Sequence, residues 1–522
     1  MTQPPENKLK KPSKKGLIWI SIVGILSIAL FLFYINFNNL LSAALNKAFQ
    51  SKLISDVYEL EFKNLRANPI AGTISVRDVT FKPRETPLNA YNYINSSIQL
   101  KTTKLILENV DILTLLRENR LIVKGIAIQR PEIELDLNGS NPIFFPFGKL
   151  VSEVETETKT PIDQVFLEVF EIEDASFKVT NSFKKREFAI EKFNITFREL
   201  LIDNNENEDV FFLKHIAISL SNFTGNLREA PFKQIDFSDF TISLDSVDVK
   251  KNLDTLIYNF QDFTSGVRQL DIQTRDSLFH ITMNSFDLAY RDQSIILTGL
   301  GFKPNVNNAT IQKNYQFQHT QFSGTVGKAA INKLNFDSLI YHNSLVIDEI
   351  LLDSISALIY KDNTKAKDLN HFPEYLGQAI SKIKNPVKIN SIKGTHVTLR
   401  NEEKKPDGEI AKVTLTRGTA EVKNLTNLAP SEELKLKATA YLADKVKFDL
   451  NISFSYARPQ FIFEGQLEKF TLVNINPVIQ AYAPIKFTEG ISDEITFSGT
   501  AQNTSSSGRL TFLYHDLKVD LA

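Results

Sequence analysis

From Tyr58 onward the chain alternates apolar and polar positions. The clearest stretch is Val446, Phe448, Leu450, Ile452, Phe454 and Tyr456, separated by Lys447, Asp449, Asn451, Ser453 and Ser455. Successive side chains of a strand point to opposite faces, so this segment predicts a strand greasy on one side and wet on the other. Similar stretches cover 58–62, 216–220, 240–244 and 461–467. Continuous apolar runs of the kind that fill a parallel α/β core are scarce, which predicts antiparallel meanders.

Helical spacing interrupts this pattern in a few places. Leu253, Leu256, Ile257, Phe260, Phe263 and Val267 share one helical face, and Phe372, Tyr375, Leu376, Ala379, Ile380 and Ile383 share another. Asn476 and Pro477 read as the cap and first turn of a short helix reaching about Tyr482.

The chain also repeats itself. Ile74–Pro83 resembles Ile295–Pro304, Leu107–Leu135 resembles Ile331–Ile359, and Ile172–Asn181 resembles Ile392–Asn401. Three matches in the same order predict two tandem β-rich units, over 57–278 and 279–522, and repetition favours an elongated architecture. The expected fold is therefore mainly β, an elongated, twisted antiparallel sheet with a few short helices.

The N-terminus follows a different rule. Lys8, Lys10, Lys11, Lys14 and Lys15 close a basic tail over 1–16, and no charged residue occurs from Leu17 to Phe37. An apolar helix of that length spans about 30 Å, the thickness of a bilayer's hydrocarbon layer. Trp19 and Tyr34 sit near its ends, where aromatic rings favour the interface. The excess of lysine before the span predicts a single-pass anchor with a cytoplasmic N-terminus, held by residues such as Leu17, Trp19, Tyr34 and Phe37. A cleaved signal peptide ending near Ser42, Ala43 and Ala44 is the competing reading, and either one exports the body. Residues 38–56 carry apolar positions at helical spacing and predict an amphipathic linker.

Composition narrows the chemistry. Phe is abundant at 39 residues against one Trp and two Met, which suits a sheet better than a helical bundle. A formal net charge of −1 argues against nucleic acid as partner. Cysteine is absent, so disulfides and Cys-ligated metals are excluded.

The seven histidines are isolated in sequence, without the short spacing of a helical zinc site. Residues 203–209 imitate a calcium loop, but Glu208 replaces the glycine its turn needs. Ser182 with Lys185, and Ser381 with Lys384, have a Ser-x-x-Lys spacing without the further partners of that chemistry. No catalytic residue, metal site or cofactor is expected, and the chain reads as a non-enzyme.

Three stretches resemble the AsmA-like family of bacterial envelope proteins. They are the anchor with Val57–Leu60 and Asn68–Val79, the recurrent strand endings at Ile126–Ile128 and Leu351–Asp353, and the closing segment Leu472–Pro477, Gly490 and Ser507–Leu517. The resemblance implies a protein of the bacterial inner membrane whose body faces the periplasm, involved in outer-membrane homeostasis. It also implies kinship with bridge-like lipid-transfer proteins, whose curved sheets form an apolar groove. The expected partners are then a phospholipid or other acyl-chain lipid, the inner membrane, and envelope proteins. The expected groove residues are Phe448, Leu450, Ile452, Phe454, Phe461 and Phe463. On the bare pattern the same side chains also fit a filled sandwich core, and an anchored assembly module of an envelope complex is the alternative function.

Overall fold

The computed structural model describes residues 56–68, 73–88, 91–111, 114, 117–118, 120–139, 142–144, 164–183, 186–203, 210–226, 231–252, 255–369, 374–502 and 504–521. The basic tail, the apolar span with Leu17, Trp19, Tyr34 and Phe37, and nearly all of the linker lie outside them. Among the described residues no helix is long and apolar enough to cross a membrane.

The described chain is mainly β, with 23 strands of a mixed sheet and a few short helices. It divides into two compact units. Unit 1 comprises 1–184, 197–213 and 248–257, and unit 2 comprises 185–196, 214–247 and 258–522. The first strands are β1 (Tyr58–Asn68), β2 (Thr73–Pro83), β3 (Ser97–Val110), β4 (Arg120–Gln129), β5 (Glu132–Leu137) and β6 (Gln164–Asn181). Then come β7 (Arg186–Asp203), β8 (Val210–Asn226), β9 (Phe232–Asn252) and β10 (Thr255–Asn259). Next are β11 (Asp262–Thr274), β12 (Phe279–Ala289), β13 (Ser294–Pro304), helix α1 (Asn308–Gln312), β14 (Thr320–Leu334), helix α2 (Phe336–His342) and β15 (Leu345–Asp362). The chain closes with helix α3 (Leu376–Ser381), β16 (Val387–Lys404), β17 (Ile410–Thr426), β18 (Glu433–Leu442), β19 (Val446–Ser455), β20 (Gln460–Leu467) and β21 (Phe470–Thr471). The 3₁₀ turn η1 (Leu472–Ile475), helix α4 (Asn476–Tyr482), β22 (Ile485–Gln502) and β23 (Ser506–Leu521) follow.

The wholly antiparallel expectation is corrected. In unit 1, β4 and β5 pair parallel to β6, and in unit 2, β15 pairs parallel to β16. A half-wet strand shows the same alternation whichever way its neighbour runs, so direction was invisible in the pattern. A second correction concerns residues 253–267. The helical spacing there belongs to β10 and β11, since Val267 lies opposite Phe240 on β9 and Phe286 on β12. A central strand hydrogen-bonded on both sides outweighs a coincidental three- and four-residue spacing.

The duplication appears in the pairing itself. Tyr58 lies opposite Pro83 and Leu60 opposite Phe81, just as Phe279 lies opposite Pro304 and Ile281 opposite Phe302. The Tyr58 ring stacks on Phe81 at 4.8 Å, and Phe279 stacks on Phe302 at 4.7 Å. Ile74 faces Leu107 as Ile295 faces Ile331. In the parallel pairs, Leu121 with Val165 repeats as Leu345 with Val387, and Ile126 with Phe170 as Ile350 with Ile392. The counterpart of Ile392 is therefore Phe170 rather than Ile172, a correction of the alignment that keeps every side chain on its face.

One device recurs in both copies. Asp78, Arg130 and Asp174 adopt positive φ (49°, 46° and 49°), and so do their counterparts Gly299, Ser354 and His396 (62°, 57° and 50°). In unit 2 these residues sit level across neighbouring strands, Gly299 beside Gly327, Gly327 beside Ser354, and Ser354 beside His396. Gln269 and Arg417, both at φ 50°, extend the row toward β11 and β17. A positive-φ residue turns its strand out of the extended path, so a level row turns adjacent strands together, with the register unchanged on either side. Gly299 suits that row because a Cβ there would lie 2.3 Å from the Asn284 amide nitrogen. Replacing Gly299 with Val should cost about 1–3 kcal/mol, read by denaturant unfolding, because a β-branched residue is strained in the left-handed region. An unchanged midpoint would mean that the strand does not depend on glycine at this position.

Candidate functional site

The strongest candidate site lies wholly in unit 2, on one face of β18–β20, β22 and β23. Residues directly opposite on antiparallel neighbours share a face. Four rows follow from the register. Leu434, Phe454, Phe461 and Ala501 form the first, and Leu436, Ile452, Phe463, Gly499 and Gly508 the second. Ala438, Leu450, Gly465, Phe497 and Leu510 form the third, and Ala440, Phe448, Leu467, Ile495 and Phe512 the fourth. All six expected groove residues thus stand together, and Phe497 joins them. Phe497 escaped the sequence reading because its strand mixes apolar and polar residues less regularly.

The opposite face is wet. There Lys437, Asn451, Glu464 and Ser498 form one row, and Thr439, Asp449, Gln466 and Thr496 another. Asn451 donates to Glu464 at 3.2 Å and Thr439 to Asp449 at 2.6 Å.

Burial varies along this face. Phe448, Leu450, Ile452, Phe454, Phe461 and Phe463 are all half-buried, whereas Leu434 and Val446, near the strand ends, are 0% and 1% exposed. The closest strand–strand contacts of β18–β20, β22 and β23 join hydrogen-bonded neighbours. The aromatic rings lean on one another. Phe448 meets Phe497 at 6.1 Å, Phe497 meets Phe463 at 6.3 Å, Phe463 meets Phe461 at 5.9 Å, and Phe461 meets Phe454 at 5.4 Å and Tyr375 at 5.1 Å.

Small clusters close the face at both strand ends. At one end α3 sets Ile380 against Leu434 and Tyr456, with Phe454, Val422 and Leu425 around them. The Tyr456 hydroxyl accepts from the Thr426 N–H at 3.0 Å and donates to the Asn424 carbonyl, and burial raises its pKa. At the other end η1 and α4 pack Leu472 and Ile475 with Val446, Phe470 and Phe487, and α4 also touches β17.

The helix over 476–482 forms as expected, but its cap does not. Ile475 takes the cap position, and the Asn476 side chain instead bridges the Phe487 N–H and carbonyl, each at 2.8 Å. A buried amide that satisfies two backbone groups ties α4 to β22.

Other expected positions resolve simply. The Ser381 hydroxyl donates to the Gln378 carbonyl at 2.8 Å, within its own helix. Ser182 donates to Asp136 at 3.2 Å, while Lys185 and residues 204–209 lie outside the described residues. Four histidines, isolated in sequence, each meet an aspartate on a neighbouring strand. The pairs are His215 with Asp245 (2.6 Å), His280 with Asp271 (2.5 Å), His396 with Asp353 (2.6 Å) and His515 with Asp493 (2.8 Å). The partners lie 9 to 43 residues apart on paired strands, so no short spacing rule reveals them. Among the described residues no group of three His, Asp or Glu side chains converges to hold a metal ion.

No protein-family model matches the chain, and no curated protein matches it significantly.

Two tests follow from this geometry. A Cβ on Gly465 would lie 2.3 Å from the Phe497 ring and 2.8 Å from the Asp449 carbonyl oxygen. Gly465→Ala should therefore cost about 1–3 kcal/mol in chemical denaturation, as overpacking does. Asp353 accepts from Thr395, His396 and Ser354, and these bonds hold its carboxyl well below the usual carboxylate range. A depressed folded pKa stabilises above the unfolded value and loses that contribution as pH falls toward the folded one. Acid unfolding of Asp353→Asn should show a shallower loss of stability below about pH 4 than the parent. Identical acid limbs would contradict this role for the carboxylate.

Proposed function

We propose that the chain is a lipid-handling scaffold whose unit-2 apolar face holds acyl chains while headgroups stay in water. The observation that carries the reading is the half-buried state of Phe448, Leu450, Ile452, Phe461 and Phe463, which stand together on one face. A soluble protein rarely leaves a contiguous apolar surface uncovered unless something binds there. Each methylene of an acyl chain laid on it contributes about 0.8 kcal/mol, so affinity needs no polar chemistry. In this reading the face binds or conducts phospholipid between envelope membranes, and the apolar stretch from Leu17 to Phe37 anchors the protein in the inner membrane with the body in the periplasm. Resemblance to AsmA-like envelope proteins agrees with it.

Native mass spectrometry of the detergent-purified protein, with identification of extracted lipids, tests the proposal. Several bound phospholipids are expected, and they should be lost when Phe448, Ile452 and Phe463 become Glu in a variant with unchanged circular dichroism. A folded parent carrying no lipid beyond a shell at residues 17–37, or a variant retaining its lipid, would overturn the reading and favour an assembly scaffold.

A further inference from the structure

A second apolar surface stands at one end of the unit-2 strands, apart from the face described above. β14 leads through α2 into β15, α3 precedes β16, and β17 finishes at Thr426, so these connections share one strand end. Asn427 knits them together. Its amide donates to the Ile383 and Asn385 carbonyls, both at 2.8 Å, and its Oδ1 accepts from the Val387 N–H at 2.8 Å. The Asn385 amide reaches Asn343 Oδ1 at 3.4 Å, and the Leu345 N–H donates to the Pro386 carbonyl at 2.8 Å. On this platform Leu339, Ile340, Tyr341, Ile383 and Leu428 are 38%, 53%, 66%, 42% and 54% exposed.

Shape and charge together select the occupant. The exposed side chains stand on a two-turn helix and two loop segments, separate points that a soft layer can close around. The charges beside them are matched. Lys382 pairs with Glu374, and Lys333 with Asp348 at 2.9 Å. Asp337 lies on α2, and Lys384 follows Ile383. No strong field of one sign is left to steer a strongly acidic or basic macromolecule. A bilayer interface of zwitterionic headgroups accepts this mixture, with Tyr at the headgroup level, aliphatic tips beneath it and lysine stems snorkelling outward.

We propose that this end of unit 2 docks on a zwitterionic phospholipid bilayer by shallow insertion of Ile340, Tyr341, Ile383 and Leu428. The proposal rests on the lipid-handling reading and deepens it. The patch lies at the same strand end as the Ile380, Leu434 and Tyr456 cluster, where the acyl-binding face closes. A docked bilayer would therefore meet that face at its rim.

The absence of cysteine allows single-site labelling of the full chain. Ile340→Cys and Ile383→Cys, each carrying one polarity-sensitive fluorophore, would be reconstituted in dioleoylphosphatidylcholine vesicles. Glu409→Cys, in the turn at the opposite strand end, serves as control. The labels at 340 and 383 should shift to the blue, resist iodide and be quenched by lipid-borne nitroxide, with little effect of added salt, while 409 stays in water. Labels at 340 and 383 that stay open to iodide would overturn the proposal. So would shielding already present in detergent without vesicles, which would mark self-association, or binding abolished by salt, which would mark an electrostatic partner. An Ile340→Ser, Tyr341→Ser, Ile383→Ser variant should lose membrane contact yet keep co-purifying lipid. Loss of that lipid from the parent itself would count against the lipid-handling reading instead.

Discussion

A residue with positive φ turns its strand out of the extended path, and one strand cannot absorb that turn alone. Its neighbours must turn at the same level or give up ladder hydrogen bonds, each of which is costly to leave unmade. In unit 2 the positive-φ residues Gly299, Ser354 and His396 line up, with Gly327 between them, and the register is the same on either side. Hydrogen bonding therefore continues across the row. The same row runs through Asp78, Arg130 and Asp174 in unit 1. Duplication has copied a way of turning neighbouring strands together along with the hydrophobic pattern.

Beyond that row lie β18–β20, whose straight pairing keeps two chemically different faces. In β18–β20 and β22 one face carries cross-strand hydrogen bonds such as Asn451 to Glu464 and Thr439 to Asp449, and the other carries aromatic rings that lean on neighbouring glycines, as Phe497 does over Gly465. Full burial is confined to compact clusters at the strand ends, such as Leu472 with Val446 and Phe487. Between those clusters the apolar residues are left half-covered. Stability of this region then rests on the ladder and the end clusters, which leaves the middle of the face available for a ligand without sacrificing the fold.

The alternation around Phe448–Phe454 and Phe461–Phe463 made the strands and their shared face legible, because period two assigns a side chain to a face without knowledge of its neighbours. The tandem copies were legible for the same reason, down to the Leu107–Leu135 match. Strand direction was not, since β16 beside β15 reads identically in either sense. The positive-φ row was hidden too, because a residue such as His396 gives no sign of it in the sequence. Asn476 was read as a helix cap, but its two bonds to Phe487 depend on a strand that follows the helix. The four His–Asp pairs were invisible because each spans two strands. Local pattern conveyed faces, and what required knowing the neighbouring strand was lost.

The most direct test of an accessible, acyl-binding face is photo-crosslinking with a phospholipid that carries a diazirine on its acyl chain, followed by peptide mapping. The account predicts adducts on Phe448, Ile452, Phe463 and Phe497, and none on Asn451, Glu464 or Ser498 of the opposite face. Adducts confined to residues 17–37, or spread equally over both faces of β19 and β20, would contradict it.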